Sequence, residues 1–188
     1  MSLKVPKSAA LIVIDMQKAI DDPSWGVRNH PEAERTGVAL LGAWRESGRA
    51  VYHVKHDSIE PESTYRPGQE GNDFKSAFVP RADEPVVHKH TPSAFEGTDL
   101  SERMATGWHR LLVIFGVITN NSVETTVRHA CCLGYQVVLV EDACFTFAKK
   151  DWRGVERTAD EVHAMSLANL DGEYCQVTTA EQVMRSIR

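Results

Sequence analysis

The amino-acid sequence predicts an α/β fold, a doubly wound, mainly parallel sheet with helices packed on it. Three observations carry this. Six short apolar runs alternate along the chain with stretches of helical pattern. Those runs are continuous in Val, Ile and Leu rather than alternating, which suits parallel strands covered on both faces. No repeat or low-complexity linker divides the 188 residues, so one domain spanning 1–188 is expected, burying roughly two-thirds of its unfolded surface.

Taken in order, Ala9–Ile14 is expected as the first strand and Pro31–Ser47 as the first helix. Ala50–His56 and Pro85–Lys89 follow as strands, with no helical pattern between them. Asp99–Thr106 reads as a helix and Leu111–Val117 as a strand. Asn121–Leu133 reads as a helix whose Val123, Val127 and Ala130 face the core. Gln136–Val140 is a strand, Trp152–Leu170 a helix, Tyr174–Val177 a strand and Thr179–Ser186 the last helix. Two long irregular segments, Asp15–His30 and Asp57–Glu84, leave strand ends, where open α/β sheets bind ligands. The first carries Trp25 and the second Tyr65, Arg66 and Phe74, side chains able to shape a pocket lid.

Bulk properties exclude several classes. A net charge of −5 with dispersed Lys and Arg leaves no footprint for nucleic acid. The apolar runs are too short to cross a bilayer, and the N-terminal residues lack the apolar core of a signal peptide. A soluble cytoplasmic protein acting on a small molecule is expected. Cys131, Cys132, Cys144 and Cys175 have no paired C-x-x-C spacing and are expected as buried, inert thiols. The turn after the first strand reads Ile14-Asp15-Met16-Gln17-Lys18, without the glycines of a dinucleotide site, so no nicotinamide cofactor is expected.

Chemistry concentrates at three places. The stretch Gly116 to Arg128 runs from a strand-ending glycine into the start of a helix, where free N–H groups favour a nucleophile or an anion. Ser122 sits in that turn, and Asn121 with Glu124 has the spacing of a capping box that would make Ser122 ordinary first-turn filling. Glu124 and Arg128 are spaced for an i,i+4 pair. Asp15 closes the first strand, where a carboxylate is costly unless paired. Lys89 closes the third and suits either a carboxylate partner or an anionic substrate. Each of the three also has a plain reading as a cap or an ion pair.

Three segments resemble the isochorismatase-like hydrolases, in order and at suitable spacing. They are Val13-Ile14-Asp15-Met16-Gln17, His88-Lys89-His90-Thr91-Pro92-Ser93-Ala94-Phe95 and Gly116-Val117-Ile118-Thr119-Asn120-Asn121-Ser122-Val123. Arg128-His129-Ala130, Leu133-Gly134-Tyr135 and Val140-Glu141-Asp142-Ala143 extend the likeness over nearly the whole chain. The resemblance implies a three-layer α/β/α fold with sheet order 3-2-1-4-5-6, in homodimers or larger assemblies. It implies Asp15, Lys89 and Ser122 as the catalytic set, Ser122 standing where the family carries a cysteine. It further implies a cis peptide between Val117 and Ile118, and an oxyanion hole from the N–H groups of Ile118 and Ser122. Ile118, Asn121, Trp25 and Phe74 are the expected substrate-binding residues.

The serine shapes the expected chemistry. A hydroxyl is far harder to deprotonate than a thiol, and serine nucleophiles normally rely on a histidine-strength base. Family members that resemble isochorismatase itself also lack the cysteine and hydrolyse a vinyl ether with the aspartate as acid. Hydrolysis of a C–N amide or a vinyl ether is therefore expected, with Asp15 as acid/base and Lys89 as its charge partner. A binding protein that lost the nucleophile is the alternative. Related nicotinamidases bind a metal near the second strand, but His53 and His56, three apart on a strand, tend to opposite faces. No metal or organic cofactor is expected. His88 and His90 are expected to point away from Lys89 as structural residues.

Overall fold

The structure, a computed structural model, describes residues 3–187, so the ends of the expected 1–188 domain lie outside the described residues. The main sheet contains β1 (Ala10–Ile14), β2 (Ala50–His56), β3 (Val86–Lys89), β4 (Leu111–Gly116), β5 (Gln136–Val140) and β8 (Gln176–Thr178). A short hairpin, β6 (Lys149–Lys150) and β7 (Glu156–Arg157), lies apart from it. All five ladders of the main sheet are parallel, and the order is β3-β2-β1-β4-β5-β8. With β8 as the sixth strand, this is the expected order. The helices are α1 (Ala33–Glu46), α2 (Leu100–Thr106), α3 (Glu124–Cys132), α4 (Ala159–Leu170) and α5 (Ala180–Ile187). α1 packs with α5, and α3 with α4.

Burial explains the composition of the runs. Every residue of β1 and β4 is buried, because each strand has a neighbour on both edges and helices over the sheet. From α1, Leu40, Leu41 and Trp44 reach the core, and Trp44 donates its indole N–H to the Ala50 carbonyl at 2.9 Å. Two glycines set close approaches. A Cβ on Gly37 of α1 would stand 2.8 Å from the Phe115 ring of β4. Gly116 has φ 138°, and a Cβ there would run into the backbone of Ile14 on β1.

Three elements differ from expectation. α4 begins at Ala159 rather than Trp152, because residues 149–157 form the β6–β7 hairpin. Asp151 closes that hairpin by accepting the N–H groups of Arg153 and Val155 and the fork of Arg157, and Gly154 takes φ 81°. The last strand starts at Gln176, since Tyr174 and Cys175 still donate their N–H groups to Leu170 in the turn that leaves α4. The capping box expected at Asn121 and Glu124 is absent. The chain enters α3 through a π-turn over Thr119–Val123, so Asn121 lies inside the helical turn, and Glu124 instead binds Arg128 and accepts from Ser166. A capping box does form at Thr158 and Glu161, opening α4.

The thiols also split. Cys144 and Cys175 are buried, and burial pushes both up to about 12. Cys131 is only half-buried and Cys132 is exposed, because both lie at the solvent side of the end of α3. No described helix is long and apolar enough to cross a membrane.

Candidate active site

The chain reverses its sheet order between β1 and β4, and the ends of those two strands form the floor of a cavity of about 290 Å³. Asp15 follows β1 directly. Its backbone turns into the left-handed region at φ 52°, and its N–H is held by the Val54 carbonyl of β2 at 3.0 Å. Across the cavity floor, the bond between Val117 and Ile118 is cis. Ile118 makes no backbone N–H hydrogen bond among the described residues, and the π-turn that follows carries Ser122.

Lys89 ends β3 and reaches past β2 into the same place. Its side chain has no solvent exposure, and its Nζ lies 2.8 Å from Asp15 Oδ2. It also donates to Ser122 Oγ at 3.2 Å and to the Thr91 carbonyl at 3.1 Å, so three oxygens receive its three N–H bonds. The other Asp15 oxygen, Oδ1, is buried with no partner. Ser122 Oγ has Lys89 as its side-chain partner and makes no hydrogen bond to Asp15 or to a histidine among the described residues. His56, at the end of β2, stands 3.5 Å from Lys89 through Nδ1. Burial, then the Lys89 charge, pushes His56 below the usual imidazole range and leaves it neutral.

Two buried amides hold this arrangement, and the sequence reading singled out neither. Gln17 donates to the His56 and Asn72 carbonyls and accepts the His56 N–H, tying the exit of β1 to the exit of β2. Asn72 donates to the carbonyls of His56 and Tyr65 and to Asp57 Oδ1, pinning the long 57–84 segment against the site. A buried Gln or Asn in a long loop carries no local sequence signal, because only the fold supplies its partners.

Of the expected substrate-binding residues, Ile118, Asn121 and Trp25 line the cavity. Trp25 stacks on Phe147 at 5.5 Å and meets the Tyr65 edge at 6.5 Å, forming one wall with it. Tyr65 is buried, and its hydroxyl is pushed well above the usual phenol range by burial. Phe74 is not in this wall. Its backbone bridges Gln17, and its ring packs against His53 and Lys55 away from the cavity. His90 also differs from expectation. β3 stops at Lys89, so the strand alternation that would turn His90 away no longer applies. His90 lines the cavity and donates Nδ1–H to the Asp57 carbonyl at 2.7 Å. Ile20, Ser58, Ile59, Glu60, Ser63 and Pro92 complete the lining from the two long segments. A larger groove, about 810 Å³ along α4, contains none of the three residues Asp15, Lys89 and Ser122.

The residues near β2 do not fit the metal set of the related nicotinamidases. His53 is fully buried with Nε2 on Glu84 at 2.9 Å, on the side of β2 opposite His56. Asp57 is committed to the Asn72 amide and to His88 Nδ1 at 2.7 Å. Burial pushes the Asp57 carboxyl up, but those two donors outweigh it and hold it below the usual carboxylate range.

A doubly wound parallel sheet with a buried carboxylate–ammonium pair beside a cavity at its switch point defines the class of α/β domain whose ligand sites lie at that place. Comparison with known proteins gives its family. Residues 9–182 match the model of the isochorismatase domain. An uncharacterized isochorismatase family protein of Bacillus subtilis, YrdC, is 35% identical over 175 residues, covering 93% of this chain and 94% of YrdC. The crystal structure of an isochorismatase-family protein from Chromobacterium violaceum is 53% identical with a TM-score of 0.97, covering 100% of this chain and 97% of that one. An isochorismatase from Pseudomonas putida is 30% identical with a TM-score of 0.88, covering 96% and 93%. The chain belongs to the isochorismatase family of hydrolases.

Proposed function

We propose that the protein hydrolyses a vinyl-ether bond of a small molecule by proton transfer from Asp15, without a covalent intermediate. The geometry at Ser122 is the observation that supports this most directly. Its hydroxyl accepts from Lys89 and touches no base, whereas a serine nucleophile needs one within hydrogen-bond reach. Asp15 has the opposite character. Oδ2 is held by Lys89, and Oδ1 lacks a partner in a cavity-lining residue, so Oδ1 is the atom free to exchange a proton with a bound substrate.

In this reading Asp15 Oδ1 protonates the terminal carbon of the enol-ether double bond. The resulting oxocarbenium ion takes up water, and the hemiketal collapses to a ketone and an alcohol. The proton released on water addition returns to the carboxylate. The Asp15 carboxylate left after proton transfer faces the positive oxocarbenium ion. The Ile118 N–H and the Ser122 turn stabilise the negative charge that develops on the leaving alcohol oxygen as the hemiketal collapses. Trp25, Tyr65 and Asn121 orient the substrate. The P. putida relative named an isochorismatase supports the bond class.

The experiment is a turnover screen over vinyl ethers and small amides with the wild type, Asp15→Asn and Ser122→Cys. Vinyl-ether turnover in the wild type is expected, and Asp15→Asn is expected to lower kcat by about 10²–10⁴-fold. Amide turnover appearing only in Ser122→Cys would show that the remaining machinery supports acyl transfer once a thiol is supplied. Tight binding with no turnover of either bond class would make the protein a binding homologue and overturn the reading.

A further inference from the structure

Behind the π-turn that carries Ser122 lies a second cluster, formed by residues that no step above uses. His30 ends the 15–30 segment, Glu141 follows β5, and His163 lies on the inner face of α4. One ligand atom from each lies within 4.8 Å of the other two, the one such group among the described residues. The two imidazole rings meet edge to face at 4.5 Å. None of the three lines the Asp15 cavity.

The orientation of the rings is informative. His30 places Nδ1 3.2 Å from the Cys144 carbonyl, which can only accept, so Nδ1 carries the proton and Nε2 keeps its lone pair. His163 uses Nδ1 against Thr119 Oγ1 at 2.9 Å. Its Nε2 is buried with no hydrogen-bond partner, on a residue only 4% exposed. Glu141 Oε2 is the carboxylate oxygen in front of it, at 3.9 Å, too far for a hydrogen bond. Metal-ligating histidines characteristically anchor one ring nitrogen on a carbonyl or similar group and offer the other to the ion. His30 does so here, and His163 does the same through a threonine.

We propose that His30 Nε2, His163 Nε2 and the Glu141 carboxylate bind a divalent transition-metal cation of the zinc class. Two imidazoles and one carboxylate suit such an ion, whereas calcium and magnesium favour all-oxygen sets. Three protein ligands leave a fourth position for water. Donors in a tetrahedral zinc site lie ~3.3 Å apart, so the cluster must contract slightly on binding. Glu141 is better placed than His163 to supply that movement, its side chain being 30% exposed against 5%. The bound ion would satisfy the orphaned His163 nitrogen. It would also fasten α4 and the end of β5 to Thr119, whose carbonyl already lies 3.4 Å from the Ser166 hydroxyl of α4.

The competing occupant is a proton, making His163 a cation paired with Glu141. Metal-stripped protein titrated with Co²⁺ distinguishes the two, read by its visible d–d bands and by elemental analysis for Zn²⁺ after dialysis. One equivalent per chain is expected for the wild type and for the control His56→Ala/His88→Ala. His30→Gln, Glu141→Gln and His163→Gln are each expected to raise Kd by at least about tenfold. A measurement on the wild type alone needs no variant to fold. On adding Zn²⁺, the Nε2 resonances of His30 and His163 are expected to move to metal-bound positions while the Nδ1 of His30 stays protonated. No stoichiometric binding overturns the proposal. So does binding that survives His163→Gln, or shifts confined to other histidines.

Discussion

Lys89 has no contact with solvent and three oxygen partners, so its charge is stabilised only by the groups around it. Removing one member of such a pair leaves the other buried and uncompensated, which generally costs about 3–5 kcal/mol. Lys89→Met is therefore expected to lower unfolding stability by about that much in urea titration, and adding Asp15→Asn is expected to recover part of it. A cost below about 1 kcal/mol would mean that water reaches the pair. At this scale much was legible in sequence. Asp15, Lys89 and Ser122 were marked by their places at strand ends and in a strand-to-helix turn. Their hydrogen-bond directions were not, because Lys89 reaches Ser122 only through a contact 33 positions away in the chain.

Secondary-structure elements meet the site through two local devices. Gly116 ends β4 with φ 138° directly over the backbone of Ile14. Gly116→Ala adds backbone strain of about 1–3 kcal/mol before any clash, so a loss of at least about 2 kcal/mol is expected in thermal or urea unfolding. The second device is the capping box at Thr158 and Glu161, whose side chains each accept the other's backbone N–H across the first turn of α4. Thr158→Ala is expected to cost about 1 kcal/mol, seen as a lower urea midpoint. That box was readable as Thr-x-x-Glu, and the Asp151 to Gly154 turn before it was readable too. The helical pattern from Trp152 onward hid both. Asn121 and Glu124 had the same spacing without the same structure, since the π-turn places Asn121 in the helix instead of before it.

On the scale of the whole molecule, an acid-sensitive clamp joins β2, α1 and the segment before β3. Glu84 takes the Arg45 fork at 2.7 Å and His53 Nε2 at 2.9 Å, and accepts the Arg81 N–H. Burial pushes its carboxyl up, but these donors prevail and hold it at about 2, against an ordinary value of 4.5. A depressed carboxylate stabilises the fold above its unfolded pKa and loses that contribution as pH falls. Here the loss runs from about 4.5 toward 2 and amounts to about 3 kcal/mol at most. His53 acts in the same direction. Burial keeps it neutral below its ordinary 6.5, so the unfolded chain takes up the proton first and stability already declines under that pH. Urea midpoints measured from about pH 7 to pH 3 should therefore fall steadily, and Glu84→Gln should flatten the lower part of the curve. A midpoint independent of pH over that range would rule the clamp out.

The sequence by itself determined the layered architecture, the strand segments within a few residues, and the residues standing at the strand ends. It could do so because apolar periodicity and turn chemistry are local, and because a continuous apolar run has few ways to be buried. Tertiary structure alone decided what those residues touch. Phe74 lies away from the cavity and His90 lines it, because loop paths and the end of β3 are set by distant packing. Gln17 and Asn72 became the fasteners of the site only when three strand ends and a long loop met around them. His30, Glu141 and His163, spread over 133 positions of the chain, converge for the same reason. Their convergence rests on the order of the strands, which no local pattern encodes.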